Sequence, residues 1–314
     1  MALKDKIPLG VALPHRSPEP VDIAAVRHVA QRAEAMGFRD LWVTENTLDH
    51  VFCFDPVVVL TYAAAVTKRI RLGCSVVVMA VHSPLMIAHQ WACLDYASNG
   101  RALLAVGLGR EHHYRQFEVP EDGKLIRFRE ELALIRALWS EQRTTFHGRF
   151  YNLDNATMSP KPVQQPIPIW MGVGHPNAVR RSAELADGWM GSGGSSIAHF
   201  GQSVVILKEA LAKAGRDPAD FPISKRVFMA VDECPRCRAS RAPPLVHHGV
   251  SQPRGDRRLG YPRHPGRGPR AARRTRRHGR QPPPSQSRLP LRRAAGSAGR
   301  RGRPGIGVKL HEFD

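Results

Sequence analysis

The stretch Ile70-Arg-Leu-Gly-Cys-Ser-Val-Val-Val-Met79 decides the fold, together with the two segments that follow it. Its nearly continuous apolar, β-branched residues predict a short strand buried on both faces. Ser83 as a cap and Pro84 as the first helical residue predict a helix over residues 84–97. Residues 102–108 predict the next strand. A strand, a helix and a second strand in this order form the repeating unit of a parallel sheet covered by helices.

The same unit recurs on both sides of this stretch. Helix starts and apolar spacing predict six helices, of which the first begins near Asp22 and ends at Gly37. The other helices are predicted near residues 56–66, over 84–97, around Phe128 to Trp139, and over 177–186 and 197–214. Together with the two strands above, the other predicted strands bring the total to seven: residues 7–13, 41–44, 167–171, 188–190 and 223–231.

Two architectures fit alternating strands and helices. A doubly wound sheet that binds a dinucleotide has a glycine fingerprint after its first strand, but here that turn is Pro14-His-Arg-Ser-Pro18. We therefore predict a (β/α)8 TIM-barrel-like fold with seven readable strands and its active site at the carboxyl ends of the strands. Residues 143–166 interrupt the repeat, and residues 146–151 within them predict a small hairpin.

The charge of the chain divides it into two parts. The 314 residues carry a formal net charge of +20, yet residues 1–233 hold 26 Lys and Arg against 24 Asp and Glu, and residues 234–314 hold 21 against 3. We therefore assign residues 1–233 to the barrel domain. Residues 234–314 are rich in Arg, Pro and Gly and poor in apolar residues, which predicts a disordered basic tail.

Three explanations of that tail differ in their consequences. Shifted reading of a GC-rich gene yields mainly Arg, Pro, Gly and Ala, so a frame error is the favoured explanation. The chain would then lack an eighth strand, leave a sheet edge uncovered, aggregate readily and show weak or no activity. A basic arm that binds nucleic acid is the alternative, although the tail contains one lysine and only Tyr261 and Phe313 as aromatic residues. A disordered linker is the third reading.

The cysteines and the apolar runs bear on disulfides, metal sites and the cellular compartment of the protein. The chain has five cysteines, which gives no disulfide framework, and Cys53, Cys74 and Cys93 are predicted to be small core residues. Cys234 and Cys237 lack a second pair and spaced histidines, so no metal site is predicted. No apolar run is long enough to span a bilayer, and no export signal is recognised at Met1 to Pro14, so a cytoplasmic protein is expected.

Four segments in order resemble the bacterial luciferase-like oxidoreductases over about residues 7–231. They are residues 33–45, the strand at 70–78, Pro160-Lys-Pro-Val-Gln-Gln-Pro-Ile-Pro-Ile-Trp-Met-Gly172, and Ala186-Asp-Gly-Trp189. The resemblance implies a barrel with an insertion and the use of reduced FMN or the deazaflavin coenzyme F420. It implies oxygen insertion into, or hydride transfer with, a small organic substrate. A flavin reductase and a second copy of the chain are candidate partners.

The resemblance also implies where the cofactor binds. Ser75 and Val76 match the place of a non-proline cis peptide that forms a bulge behind the isoalloxazine ring. Glycine-rich turns after two strands offer unhindered amides for a phosphate. The cofactor-binding candidates are therefore Ser75, Val76, Gly107, Arg110, Gly172, Val173, Gly174, Asn177, Gly191 and Ser192.

The catalytic candidates follow two strands. Many relatives have an acidic residue and then a histidine after the second strand, whereas this chain has Glu45 and Asn46. Asn46 can form hydrogen bonds but cannot exchange a proton at neutral pH, so His50 is a further candidate. Glu111 and His112, after the fourth strand, are expected near the substrate or the flavin.

Overall fold

The computed structural model describes residues 7–229, in which a parallel sheet is built from repeated strand and helix units. Its strands are β1 (Gly10–Ala12), β2 (Arg16–Ser17), β3 (Asp40–Val43), β4 (Phe52–Cys53), β5 (Arg71–Val78), β6 (Ala102–Gly107), β7 (Thr144–His147), β8 (Asn152–Ala156), β9 (Ile169–Gly172), β10 (Gly188–Gly191) and β11 (Ile223–Lys225). Its helices are α1 (Ile23–Ala35), α2 (Pro56–Val66), α3 (Pro84–Ser98), α4 (Glu111–Gln116), α5 (Lys124–Ser140), α6 (Pro176–Leu185) and α7 (Ile197–Lys213).

Seven strands form one curled sheet in the order β1-β3-β5-β6-β9-β10-β11, and all six neighbouring pairs are parallel. The seven predicted strands and the six predicted helices are confirmed, and with them the barrel-like class of fold. Because parallel strands share a direction, their carboxyl ends lie along one rim of the sheet. Within residues 7–229, β1 and β11 are its two edges.

Four local predictions need correction. The first strand starts at Gly10 rather than at residue 7, where Pro8 has no amide hydrogen for the sheet. The last strand ends at Lys225, and residues 226–229 are not part of a strand. Ser83 stands at the N-cap of α3 but its side chain makes no capping hydrogen bond. Residues 111–116, where no helix was predicted, form the short helix α4.

Capping side chains fix where other helices begin. Asp22 accepts a hydrogen bond from the amide of Ala24, Asp55 accepts two from the first turn of α2, and Ser196 accepts one from His199. After α1, Gly37 adopts a positive φ of 80°, a left-handed conformation that glycine takes without steric cost. The predicted roles of Asp22 and Gly37 are therefore confirmed.

The main core lies between the sheet and the helices. Its buried residues form one cluster whose members come from Leu13 through Ala186 in the sequence. A second cluster joins α6 and α7 to β10. Cys74 is buried in the main core as predicted, whereas Cys53 and Cys93 are only half-buried. Burial of this apolar surface is the main stabilising contribution.

A separate cluster fills the concave face of the sheet. Trp42 and Trp170 lie there with their ring centroids 5.9 Å apart, packed with Leu103, Ala105, Val76 and Met190. A Cβ atom at Gly73 would lie 2.5 Å from the ring of Trp42, and one at Gly188 would lie 2.5 Å from Nε1 of Trp170. The glycines on neighbouring strands therefore make room for the two tryptophans, as the interior of a small barrel requires.

The interruption at residues 143–166 contains the antiparallel hairpin of β7 and β8, which confirms the predicted hairpin. β2, which follows β1, and β4, which follows β3, form a second small antiparallel pair. The predictions for residues 234–314, including the tail and the pair Cys234 and Cys237, fall outside the described residues.

Candidate functional site

The third strand of the barrel carries an irregularity at its carboxyl end. The Ser75–Val76 peptide bond is cis, and the pairing of β5 with β6 shifts register between Ser75 and Val77. The bulge predicted at these residues is therefore present. The Ser75 hydroxyl donates a hydrogen bond to the Met190 sulfur on β10, at 2.8 Å, across the concave face.

Val76 fits against two glycines of the neighbouring strands. A Cβ atom at Gly107 would lie 2.8 Å from Cγ2 of Val76, and one at Gly172 would clash with Cγ1. The ends of β5, β6 and β9 thus form one wall in which Val76 fills the space that two side chains would otherwise occupy. Gly107 and Gly172 are required by packing here, beside any role toward a cofactor.

Glu45 follows β3 and holds three donors. One carboxylate oxygen accepts the Val78 amide at 2.8 Å, just after the bulge. The other accepts Nε2–H of His82 at 2.7 Å and the Thr47 hydroxyl at 3.1 Å. The Glu45 side chain is only 3% exposed, whereas His82 is 31% exposed. A buried carboxylate with this many partners ties the end of β3 to the end of β5.

The environment of His82 favours its protonated form. Burial by itself lowers the pKa of His82, but the hydrogen bond and the negative charge of Glu45 outweigh it, so that the pKa is raised. Asp55 at the start of α2 and Glu131 on α5 act in the same direction. The Glu45–His82 contact is therefore an ion pair whenever His82 is protonated.

A second histidine, His15, is held in a neutral form at the end of β1. Its Nδ1–H donates to the Leu13 carbonyl at 2.8 Å, and its Nε2 accepts the Thr44 amide at 2.8 Å. Burial lowers the pKa of His15. Asn46 donates to the Thr44 hydroxyl oxygen at 2.9 Å and so joins this network. Both ring nitrogens of His15 are used, which leaves it no position from which to move a proton.

The other predicted catalytic residues lie at the surface. The His50 side chain is 89% exposed and its Nδ1 lies 3.0 Å from Asp49, which pairs with Arg16. Glu111 and His112 are exposed on α4. The neighbouring His113 ring lies 3.9 Å from that of His112 and accepts the Arg110 amide. The structure brings Glu45 and Asn46 to the ends of strands but does not join His50 to them, and the catalytic roles stay predictions.

The loop after β9 contains part of the predicted phosphate cradle. The amide of Asn177 is already bonded to Nδ1 of His175, the N-cap of α6, so this amide is not open to a phosphate as expected. Within residues 7–229, the amides of Gly174 and His175 have no hydrogen-bond acceptor. Gly174 has an ordinary φ, and a Cβ atom added there would meet only Cβ of Ser192, at 4.0 Å.

The loop after β10 lies beside it. Gly191 ends the strand, and within the described part of the chain the amides of Ser192, Gly193 and Gly194 have no acceptor. The Lys225 ammonium donates to the carbonyls of Ser192 and Ser195 at 2.5 and 3.1 Å and thereby fixes the loop. Two adjacent loops thus each carry amides that have no acceptor within residues 7–229.

Positive side chains surround these loops. Arg226 lies against Gly193, since a Cβ atom there would be 2.7 Å from Nε of the arginine. Burial lowers the pKa of Arg226, and the charge of Arg110 adds to this, which indicates that the two guanidinium groups lie near one another. Neither has an acidic partner within residues 7–229. Such a pair of unneutralised cations favours an anionic ligand.

Sequence reasoning missed His82, His15, Lys225 and Arg226. His82 is 37 residues from its partner Glu45, so no local pattern joins them, although both directly follow barrel strands. Lys225 and Arg226 were read as parts of a strand. A search for polar residues just after each predicted strand would have found His15 and His82, but Lys225 and Arg226 lie inside the predicted strand 223–231.

Residues 7–229 contain neither a metal-binding cluster nor a membrane-spanning helix. No group of three or more His, Cys, Asp or Glu side chains there is arranged to hold a metal ion. None of the helices in that range is both long and apolar enough to cross a bilayer.

Comparison with known proteins gives the fold a family. The model of the luciferase-like monooxygenase family matches residues 7–302, which extends past residue 231, where the sequence resemblance was placed. The F420-dependent glucose-6-phosphate dehydrogenase of Kineococcus radiotolerans is 32% identical over 215 residues, covering 66% of this chain and 64% of that protein. The chain thus spans less than two thirds of this relative.

Solved structures agree on the architecture. The monooxygenase RslO1 from Streptomyces bottropensis is 25% identical, with a TM-score of 0.62 over 70% of each chain. The coenzyme F420 dependent tetrahydromethanopterin reductase from Methanopyrus kandleri is 22% identical, with a TM-score of 0.64 over 72% of this chain and 67% of that one, a likeness that concerns the fold. With the bulge at Ser75–Val76 and the family match over residues 7–302, the chain belongs to the luciferase-like monooxygenase family.

Proposed function

We propose that this chain is an oxidoreductase that binds coenzyme F420 at the rim of the sheet and transfers a hydride to or from a small organic substrate. The observation that carries the proposal is the pair of glycine loops with unpaired amides beside Arg226, next to the bulge at Val76. The 32% identical relative, which is named for its dependence on F420, supports the choice of cofactor.

The residues at the rim fit an anionic cofactor with a flat ring. The amides of Gly174, His175 and Ser192–Gly194 would bind its phosphate group, with Arg226 and Arg110 supplying positive charge. Val76, packed against Gly107 and Gly172, would support the ring from behind. Each feature would also serve FMN, which shares a phosphate and a similar ring.

The cofactor and the protein would contribute different parts of the reaction. When bound, a deazaflavin accepts or donates a hydride, and the protein contributes binding, orientation and exclusion of water. Trp42 and Trp170 close the concave face below the rim and keep water from it. Beside the end of β1, both ring nitrogens of neutral His15 are already bonded and Asn46 cannot carry a proton, so neither residue moves a proton there.

An oxygenase that uses FMN is the second candidate. It is favoured by the 25% identical monooxygenase from Streptomyces bottropensis, which has the same fold. A flavin reductase would then be needed to supply reduced FMN, and a second copy of the chain is a further candidate partner. These partners are predictions.

The test is single-turnover chemistry under two sets of conditions. Purified chain with oxidised F420 and a panel of alcohols and sugar phosphates, without oxygen, should bleach the visible absorbance of the deazaflavin as hydride is transferred. Reduced FMN with oxygen and the same panel is the matched arm. Bleaching only with F420 supports the proposal, product oxygenation only with FMN supports the second candidate, and no reaction in either arm contradicts both.

A further inference from the structure

A buried carboxylate, Glu45, ties the carboxyl end of β5 to the end of β3. Glu45 accepts the amide of Val78, two residues after Val76, and this is the contact that joins the bulge to the end of β3. Val76 in turn fills the space beside Gly107 and Gly172. A displacement of Val78 would therefore move the wall on which the proposed cofactor rests.

His82 controls the state of that carboxylate. It is the one charged partner that the Glu45 carboxylate has within residues 7–229, and it approaches to 2.7 Å. The other contacts of the carboxylate are neutral donors, the Val78 amide and the Thr47 hydroxyl. A carboxylate that is 3% exposed depends strongly on such a counter-charge, because few water molecules can replace it.

We propose that His82 is a positioning residue, whose positive charge acts through Glu45 to hold the β5 bulge in the shape that binds the cofactor, so that cofactor affinity falls as His82 loses its proton. This inference rests on the proposed function, because it concerns the cofactor site of that function. It assigns His82 no contact with substrate or cofactor.

The charged groups around His82 come from three elements besides its own. Glu45 faces it from the end of β3, Asp55 from the start of α2 and Glu131 from α5, and all three favour the protonated imidazole. His113 on α4 lies close enough to Glu45 for their charges to interact. Glu131 itself titrates near neutrality, because burial raises its pKa to about 7. The experiment therefore includes Glu131→Gln, in which only the contribution of this carboxylate is removed.

The test measures the dissociation constants of F420 and FMN by fluorescence titration between roughly pH 6 and pH 9. The affinity of the wild-type chain should fall about tenfold over this range, the equivalent of one pKa unit of coupling. His82→Arg keeps a permanent charge opposite Glu45, so it should bind tightly with a flat pH profile. His82→Gln keeps a donor without the charge and should bind weakly with a flat profile.

Two controls separate this role from general destabilisation. His28→Gln removes an exposed histidine of α1 and should reproduce the wild-type profile. Thermal unfolding of each cofactor-free variant identifies any that does not fold, and Glu131→Gln should retain a falling profile.

The outcomes also distinguish this inference from the proposed function. If the cofactor affinity of the wild-type chain does not change with pH, the positioning role is overturned while cofactor binding stands. The same holds if the affinity of His82→Arg falls with pH as that of the wild type does. Failure of the wild-type chain to bind either cofactor at any pH overturns the proposed function and with it the inference. An imidazole NMR titration of His82 that shows an unshifted pKa in the cofactor-free chain would contradict the ion pair itself.

Discussion

Gly174 offers the sharpest single-residue test of the phosphate cradle. Its backbone has an ordinary φ and a Cβ atom there would meet only Cβ of Ser192, at 4.0 Å, so we expect Gly174→Leu to fold. The leucine would nevertheless stand among the unpaired amides. We expect cofactor affinity to fall at least tenfold, or about 1.4 kcal/mol, measured by equilibrium titration with F420 and FMN.

The matched control is Gly201→Leu on α7, where a Cβ atom meets nothing within 4 Å. It should leave the affinity unchanged. Equal affinity in wild type and Gly174→Leu for both cofactors would remove the loop after β9 from the binding site.

Glu131 makes stability depend on pH. It is 2% exposed on α5, its carboxylate accepts the Tyr151 hydroxyl at 2.8 Å, and burial raises its pKa to about 7 from 4.5. Because the folded-state pKa is the higher one, the stabilisation is complete below about pH 4.5 and is lost as pH rises through about 7. That loss is on the order of 3 kcal/mol.

Glu131→Gln retains an acceptor for Tyr151 but cannot ionise. It should equal the wild type in free energy of unfolding at about pH 4.5 and exceed it at about pH 8, as measured by urea denaturation. Glu184→Gln, which changes an exposed ion pair with Arg129, is the control and should show no such trend. A difference between Glu131→Gln and wild type that stays constant with pH would show that the pKa of Glu131 is the same in the folded and the unfolded chain.

At the scale of elements, Arg101 joins two helices to the sheet. Its buried guanidinium donates to the carbonyls of Ala64, Thr67, Ile70 and Ser98 and to the Thr67 hydroxyl, at 2.7 to 3.2 Å. These acceptors lie at the ends of α2 and α3 and before β5. Lysine cannot reach all of them, so Arg101→Lys should reduce the free energy of unfolding by about 2–4 kcal/mol.

Chemical denaturation measures this effect, with a lower midpoint and an unchanged slope. Arg32→Lys, at an exposed position of α1, should change the midpoint little. If the two variants lose the same stability, the hydrogen bonds of Arg101 contribute no more than a surface arginine does.

The elements show which parts of the molecule local sequence can predict. The strands and long helices were predictable because each is a periodic pattern bounded by caps, glycines or prolines, as Asp22 and Gly37 illustrate. The six residues of α4 are too few for a periodic pattern and begin with polar side chains. The bulge at Ser75 and Val76 was expected only through family resemblance.

The candidate site was harder to predict, because its contacts join distant parts of the chain. Glu45 and His82 meet through the adjacency of β3 and β5, which depends on the whole sheet. The partner of the Asn177 amide depended on the ring orientation of His175, which the sequence does not specify.

At the scale of the whole molecule, the sheet described by residues 7–229 has β1 and β11 as edges, and a closed barrel needs a further strand between them. We propose that the basic segment from residue 234 arises from a frame error. Re-reading the gene in the other two frames should then reveal an amphipathic helix followed by an apolar strand. If neither frame encodes both elements, or if the present chain is a stable and active monomer, the frame error is contradicted. The family match, which extends to residue 302, favours the alternative that the segment is a genuine part of the protein.

Equilibrium difference titration of the purified wild-type chain with F420 and with FMN tests the central claim, cofactor binding at the rim of the sheet. Binding should perturb the absorbance spectrum saturably, with one site per chain. Inorganic phosphate should compete, because the amides of Gly174 and Ser192 and the charge of Arg226 recognise the phosphate group. The absence of any saturable spectral change with either cofactor would contradict the account.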